Sequence, residues 1–315
     1  MDAAEAAPVL VLFGPTAVGK SALALRWAEA VGAEIIQADS TTVYRGFDIG
    51  TAKPSAEERA RVPHHLIDVA DPDERFTVAR FQRLGYEAIR AITDRGRLPL
   101  IVGGTGLFIR SLVDNYPFPE EPPPAVRARL LRRLETGGLT ALRRQLRLMD
   151  PASHAAIAAT DARRTLRAIE VILGTGRRLP RRPGPARPAL RVGLIRSRSR
   201  LIERIQVRTR EQLRQGLLGE VLTHLRRGVP PNAPAFHALG YREGALWARG
   251  LVGDGEVEAL IVRRTRQYAK RQLTWFRREL DARWIDLDRT PESEALEMLV
   301  AWTRAFTCRR PDFQS

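Results

Sequence analysis

The residues best equipped for chemistry open the chain, in GPTAVGKS at positions 14 to 21. Gly14, Gly19, Lys20 and Ser21 fit the pattern G-x-x-x-x-G-K-[ST], with Pro15, Thr16, Ala17 and Val18 filling the loop. In such a loop successive backbone N–H groups and a helix N-terminus surround an anion. Lys20 adds a compact positive charge, and the Ser21 hydroxyl suits a magnesium ion. The pattern accepts any phosphate and does not separate a nucleotide from another diphosphate. An enzyme that transfers phosphoryl groups usually carries a second aspartate at the end of an apolar strand. Here LPLIVGGTG ends in glycines and threonine, and Asp68 in HLIDV and Asp286 in RWIDL are the available substitutes. The carboxylate best placed beside the loop is Asp39, at the tip of EIIQAD, read either as a magnesium-linked group or general base, or as a turn residue that stabilises STTVY.

Positioning these groups requires strands that end together. PVLVLF, AEIIQA and LPLIVGG are apolar runs of strand length separated by helical stretches near 21–31 and 76–94. That alternation predicts an α/β fold with a P-loop NTPase-like parallel sheet flanked by helices. The phosphate loop, DSTTVYRG and GGTG then gather at the carboxyl ends of the strands, where such sheets bind ligands. The proline-rich segments 116–126 and 179–188 bracket an arginine-laden helical stretch without strand signals, read as an all-helical insertion domain. The predicted boundaries are 1–118 and 189–315 for the core and 119–188 for the insertion. LRVGLIR returns as a strand of the core sheet, followed by mostly helical sequence.

Composition narrows the function class. With 44% hydrophobic residues, no apolar run of membrane-spanning length and an acidic start, MDAAEAAP, the chain is expected to be cytoplasmic, without membrane contact. One cysteine, Cys308, excludes an internal disulfide framework and a cysteine-based zinc site. His64 and His65 lack metal-ligand spacing and are expected to be structural. The net charge of +16, from 52 basic and 36 acidic residues, points to a polyanionic partner, nucleic acid first. Only Lys20, Lys53 and Lys270 stand beside 49 arginines, so the lysines mark places where an ammonium is wanted.

Arginine is also patterned. Arg263, Lys270 and Arg277 form one row at seven-residue spacing and Arg264, Arg271 and Arg278 another, along about 20 Å of one helix face. An apolar stripe containing Tyr268 and Trp275 opposes them. The rows read as a phosphate track or as a solvated face. In the insertion, Arg127, Arg129, Arg132, Arg133, Arg143, Arg144, Arg147, Arg163, Arg164 and Arg167 read as a clamp on structured RNA or as a solubilising surface.

Taken in order, GPTAVGKS, DSTTVYRGFDIGTAKP, PHHLIDVADP, LPLIVGGTGLF, RRTLRAIEVI, ALGYRE and YAKRQLTWFRR resemble the bacterial tRNA dimethylallyltransferases, over residues 8 to 285. The resemblance implies dimethylallyl diphosphate as donor, held by the loop from Gly14 to Ser21 with Mg2+ at Ser21. It implies the exocyclic amine of the adenosine 3′ of the anticodon as acceptor, in tRNAs reading codons that begin with U. Asp39 is then the base, Arg208 of RIQVR the guanidinium on the diphosphate, with Arg204 its neighbour, and Thr105 a channel-lining catalytic group. The tRNA contacts carried over are Asp39, Ser40, Thr41, Thr42, Thr105, Arg127, Arg163, Arg164, Thr165, Leu166, Arg167, His237, Gly240, Tyr241 and Arg242. Thr42, Phe108 and His237 depart from the residues common in the family. Nothing requires more than a monomer. Competing readings are a prenyltransferase acting on free adenine nucleotides, which the arginine-rich insertion argues against, a P-loop ATPase or small-molecule kinase, and a non-catalytic RNA-binding protein.

Overall fold

A computed structural model describes residues 7–119, 121–178 and 186–308, and the chain divides into two compact units, Met1–Asp114 with Ala186–Ser315, and Asn115–Pro185. Of the proline-rich stretch 179–188, residues 179–185 lie outside the described residues.

The first unit is built on six parallel strands in the order β3-β2-β4-β1-β5-β6. They are β1 (Val9–Phe13), β2 (Ala33–Ala38), β3 (His64–His65), β4 (Leu98–Gly103), β5 (Ala189–Ile195) and β6 (Arg283–Asp286). VLVLF is apolar at every position because β1 is central, paired to β4 and β5 and covered on both faces. Its side chains alternate between two cores. Leu10 and Leu12 join Leu23, Trp27 and Leu299 of helices α1 (Lys20–Val31) and α12 (Glu292–Cys308). Val9, Val11 and Phe13 join Phe81 and Ile89 of α3 (Val78–Asp94) and Phe108 and Ile109 of α4 (Gly106–Val113). The short helix α2 (Ala56–Arg61) is closed by a capping box between Ser55 and Glu58. Two edge strands extend the four that the apolar runs predict. β3 has two residues and β6 four, too short for a period in the sequence to show.

The second half of this unit supplies helices α8 (Arg198–Arg214), α9 (Leu217–Arg226), α10 (Tyr241–Ala248) and α11 (Asp254–Glu279). At 26 residues α11 runs about 39 Å and touches three separate apolar clusters. Val257 and Ile261 pack with Phe47, Phe236 and Tyr241; Val262 and Ala269 with Ile205 and Ala17; Phe276 and Leu280 with the sheet core. Phe276 lies 4.8 Å, centroid to centroid, from Phe13 at the end of β1. Buried aromatic pairs of this kind add about 0.5–1.5 kcal/mol beyond their area. This contact fixes α11 against the strand that feeds the phosphate loop.

The second unit contains α5 (Pro124–Met149), α6 (Pro151–Ala156) and α7 (Ala162–Thr175), with no strand among its described residues. Gly138, at φ 67 and ψ 177, breaks α5 into two arms. Leu130, Leu142, Leu146, Leu166 and Ile169 form its core. Among the described residues, no helix of the chain is long and apolar enough to cross a membrane.

Candidate functional site

The phosphate loop turns from β1 into α1. Val18 N–H closes back on the Pro15 carbonyl at 3.4 Å, Ala17 takes a left-handed φ of 64, and Gly19 leads into the helix at φ 114. Lys20 Nζ donates to the Pro15 carbonyl at 2.8 Å. Burial lowers the Lys20 pKa from 10.5 to about 7, with the Arg208 guanidinium acting in the same sense and the Asp39 carboxylate opposing both. Burial likewise lowers the Arg208 pKa, again against the pull of Asp39. Two cations thus share a desolvated place with one carboxylate, and an anion delivered there would offset the cost of burying them.

Three arginines brace the loop from behind. Arg208 Nη1 donates to Thr16 Oγ1 at 3.3 Å, Arg204 Nε to the Ala17 carbonyl at 2.7 Å, and Arg196 Nε to the Val18 carbonyl at 3.0 Å. The sequence reading singles out the first two and misses Arg196. A cavity of about 1000 Å³ opens on this side, bounded by Lys20, Ser21, Lys53, Arg204 and Arg208. Ser21 is exposed on the first turn of α1.

Asp39 follows β2. Its Oδ1 accepts from Thr41 N at 2.9 Å and from Thr41 Oγ1 at 2.6 Å. The turn role considered for it is therefore real, and it occupies one carboxylate oxygen. Thr105, just after β4, receives the Ser40 N–H on its Oγ1 at 3.0 Å and donates to Ser40 Oγ at 3.3 Å, while its own N–H reaches the Ala38 carbonyl at 3.1 Å. The segments after β2 and β4 are stitched into one rim carrying Asp39, Ser40, Thr41 and Thr105.

Beyond Asp39 the loop is held by buried charge. Lys53, whose side chain is 2% exposed, donates to the Tyr44 carbonyl and to the carboxylates of Asp48 and Asp68. Asp68 also pairs with Arg59 at 3.3 Å. This removes Asp68 as a substitute magnesium ligand. Asp286 lies at the end of edge strand β6, where its Oδ1 accepts from Asp288 N at 3.0 Å. Glu220 of α9 accepts from Asp48 N and Ile49 N at 2.7 and 3.1 Å, and Tyr241 OH, which receives the Gly50 N–H at 3.0 Å, donates to Glu220 at 2.9 Å.

Several residues expected to contact tRNA are buried. Thr42 is 1% exposed and Tyr241 0%; Gly240 is buried under Leu217. Thr165 and Leu166 are 0% and 7% exposed, and Leu166 belongs to the core of the second unit. Leu166 and Tyr241 are held in apolar clusters, whereas the buried Thr165 hydroxyl has no hydrogen-bond partner among the described residues. His237, Arg242, Arg163 and Arg164 are exposed. Arg127 and Arg167 both hold the buried Glu170, each at 3.2 Å, with side chains 39% and 34% exposed. The two basic rows on α11 differ in their surroundings. Arg264 turns inward to Glu243, 2.7 Å away and 1% exposed, whereas Arg263, Lys270 and Arg277 are exposed.

Two further polar residues of α11 escape the sequence reading, which places Tyr268 in an apolar stripe and passes over Gln272. Thr16 N–H donates to Gln272 Oε1 at 2.9 Å, and Gln272 Nε2 donates to the Gly104 carbonyl at 2.9 Å. Tyr268 lies one turn before Gln272 on α11; burial, and then the Asp39 carboxylate, hold its phenol far above the ordinary range, so it stays protonated. A lone glutamine four residues from Tyr268, on the buried side of an arginine-rich helix, is the signal that could have found it.

The family model for IPP transferase matches residues 42–279. A tRNA dimethylallyltransferase of Symbiobacterium thermophilum is 49% identical over 286 residues, 89% of this chain and 89% of the relative. One from Desulforudis audaxviator is 46% identical over 286 residues, 89% of this chain and 92% of the relative. Among solved structures, the full-length tRNA isopentenylpyrophosphate transferase of Bacillus halodurans superposes with TM-score 0.72 at 36% identity, covering 95% of this chain and 96% of that one. A eukaryotic dimethylallyltransferase acting on tRNA gives TM-score 0.84 at 26% identity, covering 97% and 81%. With the model match spanning most of the sequence and the P-loop-like sheet in common, the chain belongs to the IPP transferase family.

Proposed function

We propose that this protein is a tRNA dimethylallyltransferase that moves the dimethylallyl group from dimethylallyl diphosphate to the exocyclic amine of the adenosine 3′-adjacent to the anticodon, in tRNAs reading codons that begin with U. The observation that carries the reading is the juxtaposition of a cationic phosphate loop with Asp39, in a site where Asp68, one substitute for a second magnesium aspartate, is consumed by Lys53. That set suits a leaving diphosphate and a proton acceptor better than phosphoryl transfer.

The amine nitrogen attacks C1 of the dimethylallyl group, the C1–O bond breaks, and diphosphate departs with the bonding pair. An adenine amine becomes acidic only as it gains positive charge, so Asp39 takes the proton late, and an ordinary carboxylate suffices. Charge growing on the diphosphate is met by loop amides, Lys20 and Arg208, fixed in advance at the edge of the cavity. No group of three or more His, Cys, Asp or Glu residues among the described residues could hold a metal, but magnesium commonly keeps its waters and binds through substrate phosphates. The exposed Ser21 hydroxyl beside the loop fits that mode. When bound there with the donor, Mg2+ supplies neutralisation of the diphosphate charge.

The acceptor base, stacked in the anticodon stem-loop, must be turned out to reach Asp39. Ser40, Thr41 and Thr105 line that approach; Arg127, Arg163, Arg164, Arg167, His237 and Arg242 are assigned to the RNA around it. The reading needs no second subunit for its chemistry, since Lys20, Asp39 and Arg208 belong to one chain. Arg263 and Lys270, exposed on α11, contribute phosphate contacts. Replacing both with alanine is expected to weaken tRNA binding and reduce the slope of log K against log salt by about 1–2. Fluorescence anisotropy across a salt series checks this, and an unchanged slope would return that face to plain solvation.

The function is tested with radiolabelled dimethylallyl diphosphate and Mg2+, offered unmodified tRNA in one reaction and AMP in another. Label in tRNA alone, mapped beside the anticodon, is expected. Label in AMP alone would place the protein with enzymes that prenylate free nucleotides, and ATP turnover with no label in either would support a kinase.

A further inference from the structure

The phosphate loop and the rim bearing Asp39 follow different strands, and nothing in either loop's own sequence sets the distance between them. Gln272 spans that gap. One amide group accepts from the backbone of Thr16, two residues into the phosphate loop, and donates to the carbonyl of Gly104, next to Thr105. The residue is 6% exposed, and both bonds cross more than 160 positions of sequence. Thr16 in turn takes Arg208 on its hydroxyl, and Thr105 holds Ser40, the residue after Asp39. One side chain therefore stands between the group that grips the diphosphate and the group that faces the amine.

The surroundings are shaped to this bridge. A Cβ on Gly104 would come within 2.3 Å of Gln272 Nε2, and one on Gly106 within 2.0 Å of the Trp275 ring, so GGTG needs glycine at both places to let α11 approach. Tyr268 stands one turn earlier on the same helix.

We infer that Gln272 is a positioning residue that sets the separation between the diphosphate cradle and Asp39. The inference rests on the prenyl-transfer reading above. Attack on C1 requires the amine and the leaving oxygen to be held in line, and a displacement of about 1 Å can cost about 100-fold in rate. A residue that only filled space would instead lower stability and both substrate affinities together.

The test uses the full chain with Gln272→Met, which keeps volume and removes both bonds, Gly104→Ala, which pushes the amide away, and the double variant. Single-turnover prenylation is expected to fall about 100-fold in each single variant, with the double variant no more than about threefold slower than either single, because both break one bridge. Affinity for inorganic diphosphate should drop about 3–10-fold in Gln272→Met and the melting temperature by a few degrees, since the Thr16 N–H and the Gly104 carbonyl lose their partner, while tRNA affinity stays near wild type. A rate within threefold of wild type in Gln272→Met, multiplicative losses in the double variant, or parallel loss of tRNA affinity and melting temperature would each overturn the assignment. Absence of prenylation in the wild type would sink the functional reading alone. In that case the diphosphate measurement decides, an unchanged affinity in Gln272→Met overturning the bridge.

Discussion

Replacing Asp39 with asparagine is expected to lower the rate of prenyl transfer by about 10²–10⁴-fold, the usual worth of a positioned general base, while tRNA affinity remains within about twofold. Asparagine is the informative choice because Asp39 has two duties. Its Oδ1 accepts both bonds from Thr41, and an asparagine oxygen can take them over. What the substitution removes is the negative charge and the capacity to receive a proton. Asp39→Ala should match it in rate but also loosen the Ser40–Thr41 turn, adding a fall in melting temperature of a few degrees, about 1 kcal/mol for a capping or turn bond. Single-turnover prenylation, tRNA anisotropy and thermal unfolding on the two variants separate these duties. A full rate in Asp39→Asn would show that the proton leaves to water or another group.

Lys20→Met is expected to be nearly as damaging, and its damage falls on the donor side. Removing one preorganised charge from a site where negative charge develops costs about 10²–10³-fold in rate, and affinity for inorganic diphosphate should drop with it. Stability should move in the other direction or stay level. A lysine whose pKa falls on folding, here from 10.5 to about 7, opposes folding at every pH below 10.5. The opposition grows as pH falls from 10.5 to 7 and is constant below that. Methionine removes this penalty at the loss of the bond to the Pro15 carbonyl. Thermal unfolding at pH 7 should therefore show an equal or higher melting temperature alongside an inactive enzyme. Such opposition between stability and activity marks a charge kept for its chemistry. A large fall in melting temperature would instead make Lys20 a structural strut of the loop.

Local patterns in the sequence carried much of this site. GPTAVGKS between an apolar run and a helical run specifies a phosphate loop without outside help, because its amides, turn and helix N-terminus are consecutive in the chain. Apolar runs of strand length, each ended by a polar or glycine-rich cluster, likewise specify a parallel sheet with its ligand groups at one end. Asp39 was singled out by that logic, whereas Thr105 and Arg208 came from the resemblance to a family.

Pairing of side chains was another matter. Arg264 and Arg263 are adjacent in sequence and alike in chemistry, yet one is held by Glu243 and the other faces solvent. Thr42 and Tyr241 look like surface polar groups in their motifs, and packing of α9–α11 over the 42–50 loop buries them. Strands β3 and β6 exist because a neighbouring strand offers its backbone, which two or four residues can accept without any period of their own. Gln272 is the sharpest case, bonded to residues 256 and 168 positions away. The sequence by itself determined the loop, the sheet and the carboxylate beside them, since those depend on neighbours along the chain. Only the tertiary structure decided which charges remain free, which polar groups are consumed and how far the cradle stands from the base, because those depend on residues that folding alone brings into contact.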